Sequence, residues 1–133
     1  MEVITRKHPW YTILPFTTIV AFLLTLTGYW QLIFGAGLLA GILMKRAKDA
    51  FIIAFLAGVL AWGLPLTIAS AYYPLADASV LLLRILGLSP SLVLLPYIIA
   101  ILISGFGTAL GGILGVYTYA LLRQGRTEIG KMR

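Results

Sequence analysis

Residues 105 to 123 read GFGTALGGILGVYTYALLR, and the opening Gly105-x-Gly107-x-x-x-Gly111 resembles a loop that wraps backbone N–H groups around a phosphate. A dinucleotide loop of that kind needs a hydrophobic strand running into it, a helix opening on it and an acid about 20 positions later. None of that context is present, because the residues ahead are continuously apolar and carry no turn signal. The other groups able to do chemistry are few. Cysteine is absent and His8 is the one histidine, which excludes a disulfide framework, a thiolate metal site and a bis-histidine haem within one chain. His8 is expected at the cytoplasmic headgroup layer, with a single cofactor ligand as the alternative. Asp77 and Arg84 are read as charges marking the wet side of a surface helix, with a partner-docking pair as the alternative.

The elements that must position these groups follow from composition. Of 133 residues, 61% are hydrophobic and 11% charged, too little polar surface to cover a globule in water. Apolar runs fill residues 10 to 44, 50 to 73 and 91 to 122. Each is long enough to cross a hydrocarbon core of about 30 Å, which takes ~20 residues of helix. The polar start of the chain and the lack of a small-x-small site after the first run argue against a cleavable signal peptide.

The first run is too long for one straight span. Leu26-Thr27-Gly28-Tyr29-Trp30-Gln31 near its middle reads as a turn at a membrane surface, with glycine permitting the reversal and the aromatic pair suited to headgroups. The expected fold class is therefore all-α, an integral membrane bundle of four transmembrane helices over residues 10–27, 29–44, 50–72 and 95–122, forming a single domain. The second span is short, reaching only ~24 Å, and needs bilayer thinning or snorkelling by Lys45 and Arg46. Asp49 is placed to cap the third span. Between the third and fourth spans a short interfacial helix is expected over residues 76–86, with Pro74 ahead of it and Gly87 closing it. Ser89-Pro90 or Leu95-Pro96 starts the fourth span, and residues 123–133 form a basic tail expected to fray.

Charge placement tests this arrangement. With four spans and both termini cytoplasmic, Arg6, Lys7, Lys45, Arg46, Lys48, Arg123, Arg126, Lys131 and Arg133 share the cytoplasmic side, and only Arg84 falls outside. Merging the first two spans would put the N-terminal pair opposite the Lys45 cluster. Of these, Lys45, Arg46, Lys48, Arg123 and Arg126 are the expected headgroup contacts, each contributing on the order of 1 kcal/mol near anionic lipid. The +6 net charge thus points to the lipid bilayer as partner and not to nucleic acid, since the cations sit at helix ends without interleaved exposed aromatics. The expected location is the cytoplasmic membrane of a prokaryote.

No Asp, Glu, Lys, Arg or His lies inside an expected span, so a proton relay, a proton-coupled exporter or an intramembrane hydrolase has no group to work with. The chain is read as non-enzymatic, without cofactor or metal. What the spans do carry is small residues. On a helical wheel Ser104, Gly107, Thr108, Gly111, Gly112, Gly115 and Thr118 fall within roughly 140° of arc, with bulky residues opposite. Ala54, Ala57, Gly58 and Ala61 form a stripe on the third span, continuing to Pro65, where a fixed kink is expected. Gly37-x-x-x-Gly41 flanked by Ala40 serves the second span, and Thr18, Ala21 and Thr25 the first. A weak likeness between Phe34–Leu43 and Phe106–Leu114 is read as chance.

Small faces let helix backbones approach closely, a main source of helix affinity in lipid. They either meet one another within one chain or leave one face, that of the last span, for a second copy or another protein. The functional expectation is a non-catalytic helix-packing subunit of a homo-oligomer or larger membrane complex, partnered by copies of itself or by other membrane subunits. The alternative is a small oligomeric channel or facilitator for an ion or uncharged solute, lined by Ser104, Thr108 and Thr118.

Overall fold

The computed structural model describes residues 10–27, 29–44 and 46–131, except for the side chains of Trp30 and of residues 125–131. The protein is all-α, with no strand among the described residues. Its helices are α1 (Trp10–Thr25), α2 (Ile33–Leu43), α3 (Ala47–Tyr72), α4 (Leu75–Ile85) and α5 (Leu95–Lys131), with single 3-10 turns at Trp30–Leu32 and Pro90–Leu92. Two stretches, Ala47–Tyr72 and Pro90–Gln124, are helical, long and apolar enough to cross a membrane, with mean hydropathy 2.2 and 2.1.

Helix directions follow from which residues share the core. Ile13 packs with Ala40, Met44, Ala50 and Ile53, while Ala21 packs with Ala36 and Ala61. Ascending α1 therefore meets descending α2 and ascending α3. α5 lies on the far side, seated between α2 and α3. α1 and α3 run one way, α2 and α5 the other.

Local chemistry explains the ends. α1 stops where Thr25 and Thr27 donate their hydroxyls to Phe22 and Leu24 carbonyls, each at 2.6 Å, satisfying acceptors that a helix terminus leaves open. Gly28, the expected pivot of the reversal, lies outside the described residues, as does Lys45. Pro74 follows the end of α3, whose last bond runs from the Tyr73 N–H to the Ala69 carbonyl at 2.8 Å. α4 ends in a Schellman arrangement: the Leu88 N–H reaches the Leu83 carbonyl at 2.8 Å, the Gly87 N–H reaches Arg84 at 3.1 Å, and Gly87 has φ +71°. That left-handed conformation is the reason glycine stands there.

Several expected boundaries shift. The second helix is shorter than residues 29–44, since Trp30–Leu32 winds as a 3-10 turn and only Ile33–Leu43, 11 residues or about 17 Å, is α-helical. The third begins at Ala47, which places Asp49 inside the first turn and not at the cap; the cap residue is Arg46, with no side-chain cap bond. Asp49 still favours that end through the helix dipole. The last helix continues through the basic tail to Lys131. The tail's two glycines each cost about 1 kcal/mol of helix propensity, and no proline follows to stop the helix. Pro65 lies inside α3, which runs through it unbroken to Tyr72, and Pro15 stands likewise inside α1. Each removes one backbone donor, from the carbonyls of Ala61 and Tyr11 respectively.

The core is built from small side chains. The bulkiest fully buried ones are Leu83, Thr17 and Thr108, and buried alanines dominate the rest. On α1 the buried line is Ile13, Thr17 and Ala21; of the expected Thr18, Ala21 and Thr25 only Ala21 lies on it. Thr18 instead bonds the Leu14 carbonyl at 2.9 Å. The Thr17 hydroxyl is buried without a partner. Thr17→Val, which keeps the shape and removes that group, should stabilise the protein by about 1 kcal/mol in a denaturant titration in micelles.

Candidate functional site

The site that the sequence singles out, the small-residue face of α5, is a contact between three helix backbones. Gly37 and Gly41 of α2 face Thr108, Gly112 and Gly115 of α5, and a methyl group at either glycine would overlap a carbonyl of α5 (Thr108 at Gly37, Gly112 at Gly41). Gly111 and Gly115 answer from α5, directed at the carbonyls of Phe34 and Leu38. The ascending order of these pairs shows α2 and α5 packed in parallel. Contact this close is possible only where both helices lack side chains.

The second side of α5 meets α3. A methyl at Gly58 would stand 2.6 Å from the Ser104 carbonyl, and one at Gly112 would stand 2.9 Å from the Ala50 carbonyl and 3.0 Å from the Ala54 methyl. Ala54, Ala57, Gly58 and Ala61 are all buried, with Ala54 and Ala57 at 0% exposure, and of these Ala54 and Gly58 face α5 along this seam. One hydrogen bond crosses it: Ser104 donates its hydroxyl to the Gly58 carbonyl at 2.9 Å. Thr108, also buried, donates to the Ser104 carbonyl one turn back at 2.7 Å. Ser104→Ala should cost about 0.6 kcal/mol in the same titration, the average for hydrogen bonds between membrane helices.

The structure brings together Gly37, Gly41, Ala54, Gly58, Ser104, Thr108, Gly111, Gly112 and Gly115 in one seam, while Ala61 packs instead with Ala21 and Ala36, and Ala57 is buried. Gly107 is set apart. It is half-buried, and a methyl there would rest 3.7 Å from the Phe34 ring, an ordinary contact. Thr118 is exposed and bonds the Leu114 carbonyl at 2.8 Å. Gly105 and Ala109 are buried in the seam although the wheel left them off the smooth face. A methyl at Gly105 would press on the Phe55 ring at 2.9 Å and Val59 at 3.0 Å. Phe55 in turn meets Phe106 edge to face at 5.2 Å. Two partners instead of one widen the small-residue arc by another step around the helix, and Gly105 in the quoted sequence was its signal.

The ends carry the charges. Arg46 and Lys48 stand exposed at the start of α3, and Arg123 is exposed on α5. Arg126 belongs to the helical backbone of α5, but its side chain lies outside the described part. Asp77 and Arg84 are both exposed on α4. Among the described residues no group of three or more His, Cys, Asp or Glu could hold a metal. No family model, curated protein or solved structure matches the chain.

One cavity adjoins the seam. Its volume is about 280 Å³, and its wall includes Ile33 and Phe34 of α2, Trp62 of α3, and Ala100, Ile103 and Ser104 of α5. It exists because α2 is short. Ile33 is the first residue of α2, whereas α3 continues for ten residues past Trp62 to Tyr72. Beside it a shallower groove of about 350 Å³ shares Phe34, Ile103 and Gly107 and runs along α5 to Leu110. The Trp62 indole N–H is buried with no partner.

Proposed function

We propose that the protein is a four-span membrane protein with both termini on the cytoplasmic side, acting as a non-catalytic helix-packing subunit of a homo-oligomer or larger membrane complex. The helix directions support the span count: the start of α1, the end of α2, the start of α3 and the Arg123 end of α5 share one end of the bundle. Arg46, Lys48 and Arg123 therefore lie together, as the positive-inside tendency requires. α4 fits an interfacial piece, amphipathic, with Leu83 and Ser79 buried and Asp77 and Arg84 exposed.

The observation that carries the non-catalytic reading is the seam itself. Gly37, Gly41, Gly58, Gly111, Gly112 and Gly115 pack α2, α3 and α5 against one another and Ser104 bonds across them, so the glycine face of α5 is used within the chain. Association with other subunits then uses the aliphatic outer surface, which includes exposed Leu56, Leu60, Leu102 and Leu110. What favours this reading over a channel is that two of the three expected lining residues, Ser104 and Thr108, are buried with their protons given to backbone carbonyls.

Extraction in a mild detergent followed by mass measurement of the protein–detergent particle tests this. A particle holding two or more copies, or a co-purifying membrane protein in fixed ratio, is the expected result. A strictly monomeric, partner-free particle at all protein concentrations overturns it.

A further inference from the structure

We propose that the cavity between the start of α2, Trp62 of α3 and the Ala100–Gly107 stretch of α5 is a binding site for a neutral, apolar lipid-like molecule bearing one hydrogen-bond acceptor, such as a quinone or ketone carbonyl. It rests on the membrane placement proposed above and is independent of copy number. Four observations carry it. The wall is aliphatic and aromatic apart from Ser104, and Trp62 is among its residues. Ser104 has already given its single proton to Gly58, so it offers no donor. The indole N–H of Trp62 is a donor with no acceptor, a state that costs about 1–3 kcal/mol when buried. The groove along Phe34, Ile103, Phe106 and Leu110 continues from the cavity over the outer side of α5, giving a hydrocarbon chain a path out.

The ligand class follows from that inventory. One donor and no cation select a neutral acceptor over an anion, and no charged residue lines the cavity or the groove. Trp62 lies ten residues before Tyr72, about 15 Å along the helix, which in the proposed placement sets it deep within the hydrocarbon layer. The cavity holds on the order of ten water-sized volumes of ~30 Å³, enough for a small ring or a short run of methylenes, with the remainder of the chain in the groove. Binding requires the indole to turn so that its N–H meets the acceptor.

The test uses the full-length protein in micelles, with a decyl-substituted benzoquinone as acceptor-bearing probe and decylbenzene as its acceptor-free counterpart. In a Trp10→Phe, Trp30→Phe background the remaining fluorescence is that of Trp62, and the quinone should quench it saturably. Ala100→Leu, or Gly107→Leu should the first not fold, fills the cavity and should reduce the quenching to unsaturable collisional loss. Binding is read separately as ligand-dependent thermal stabilisation. Trp62→Phe should weaken quinone binding roughly fivefold, the equivalent of one ordinary hydrogen bond, and leave decylbenzene unchanged. Quenching that never saturates, or saturates equally in the filled variants, overturns the site. Equal affinity of the two probes with no effect of Trp62→Phe overturns the acceptor requirement and with it the proposal.

Discussion

Gly41→Val and Gly37→Val should leave little folded protein in detergent, while Gly35→Ala and Gly63→Ala should fold as well as the parent or slightly better. The first pair faces backbone: a methyl at Gly41 would overlap the Gly112 carbonyl and stand 2.9 Å from the Gly115 Cα, with no flexible side chain to yield. Two helices must then separate along their whole contact. Overpacking usually costs about 1–3 kcal/mol, and here the upper end or more is expected because the displaced atoms are main chain. At Gly35 and Gly63 a methyl meets nothing within 4 Å, and alanine is favoured over glycine inside a helix by about 0.8–1 kcal/mol. Circular dichroism on denaturant titration in micelles reads both. Equal stability in the two pairs would mean that α2 and α5 do not touch as described.

The contrast also marks how far sequence reasoning reaches. That Gly37 and Gly41 are packing residues was legible from their spacing and from Ala40 beside them. That Gly35, two positions earlier, is open was legible from the same period, since it falls on another face. Gly107 misled: it keeps the four-residue spacing with Gly111 and Gly115, but α2 begins only at Ile33, so little of α2 lies opposite it. The length of α2 was in turn hidden by an apolar run that gives no sign of where an α-helix tightens into a 3-10 turn. Gly105 and Ala109 were missed because a single wheel face assumes a single partner. The helical tail to Lys131 was missed because its glycines and charges read as a frayed end. Neither the cavity nor the lone Trp62 donor has a sequence signature, because both arise from helices of unequal length meeting side by side.

The second large effect concerns orientation. The chain has no cysteine, so single cysteines report without background. In intact cells or sealed vesicles of known sidedness, Lys48→Cys should react with an impermeant maleimide only from the cytoplasmic side. Ala78→Cys on α4 should react only from the opposite side; both positions are exposed. In the proposed arrangement the outcome is close to all or none, because α3, whose 26 residues reach ~39 Å, then crosses the full hydrocarbon layer between them. Labelling of both from one side would remove the four-span arrangement. Replacing Lys45, Arg46 and Lys48 together by glutamine should yield a mixed population in which a fraction of Ala78→Cys becomes cytoplasmic, since the positive charge of these loops sets the orientation.

The parallel pairing of α2 with α5 has a consequence for synthesis. Gly41 and its partner Gly112 are about 70 positions apart in the chain, so at ~5–20 residues per second the first hairpin is made several seconds before the helix that covers it. For that interval the glycine flank of α2 stands open to whatever other helix the membrane offers. The nascent chain is thus most vulnerable to mispairing before α5 emerges, and a truncation ahead of Ser104 would make that exposure permanent.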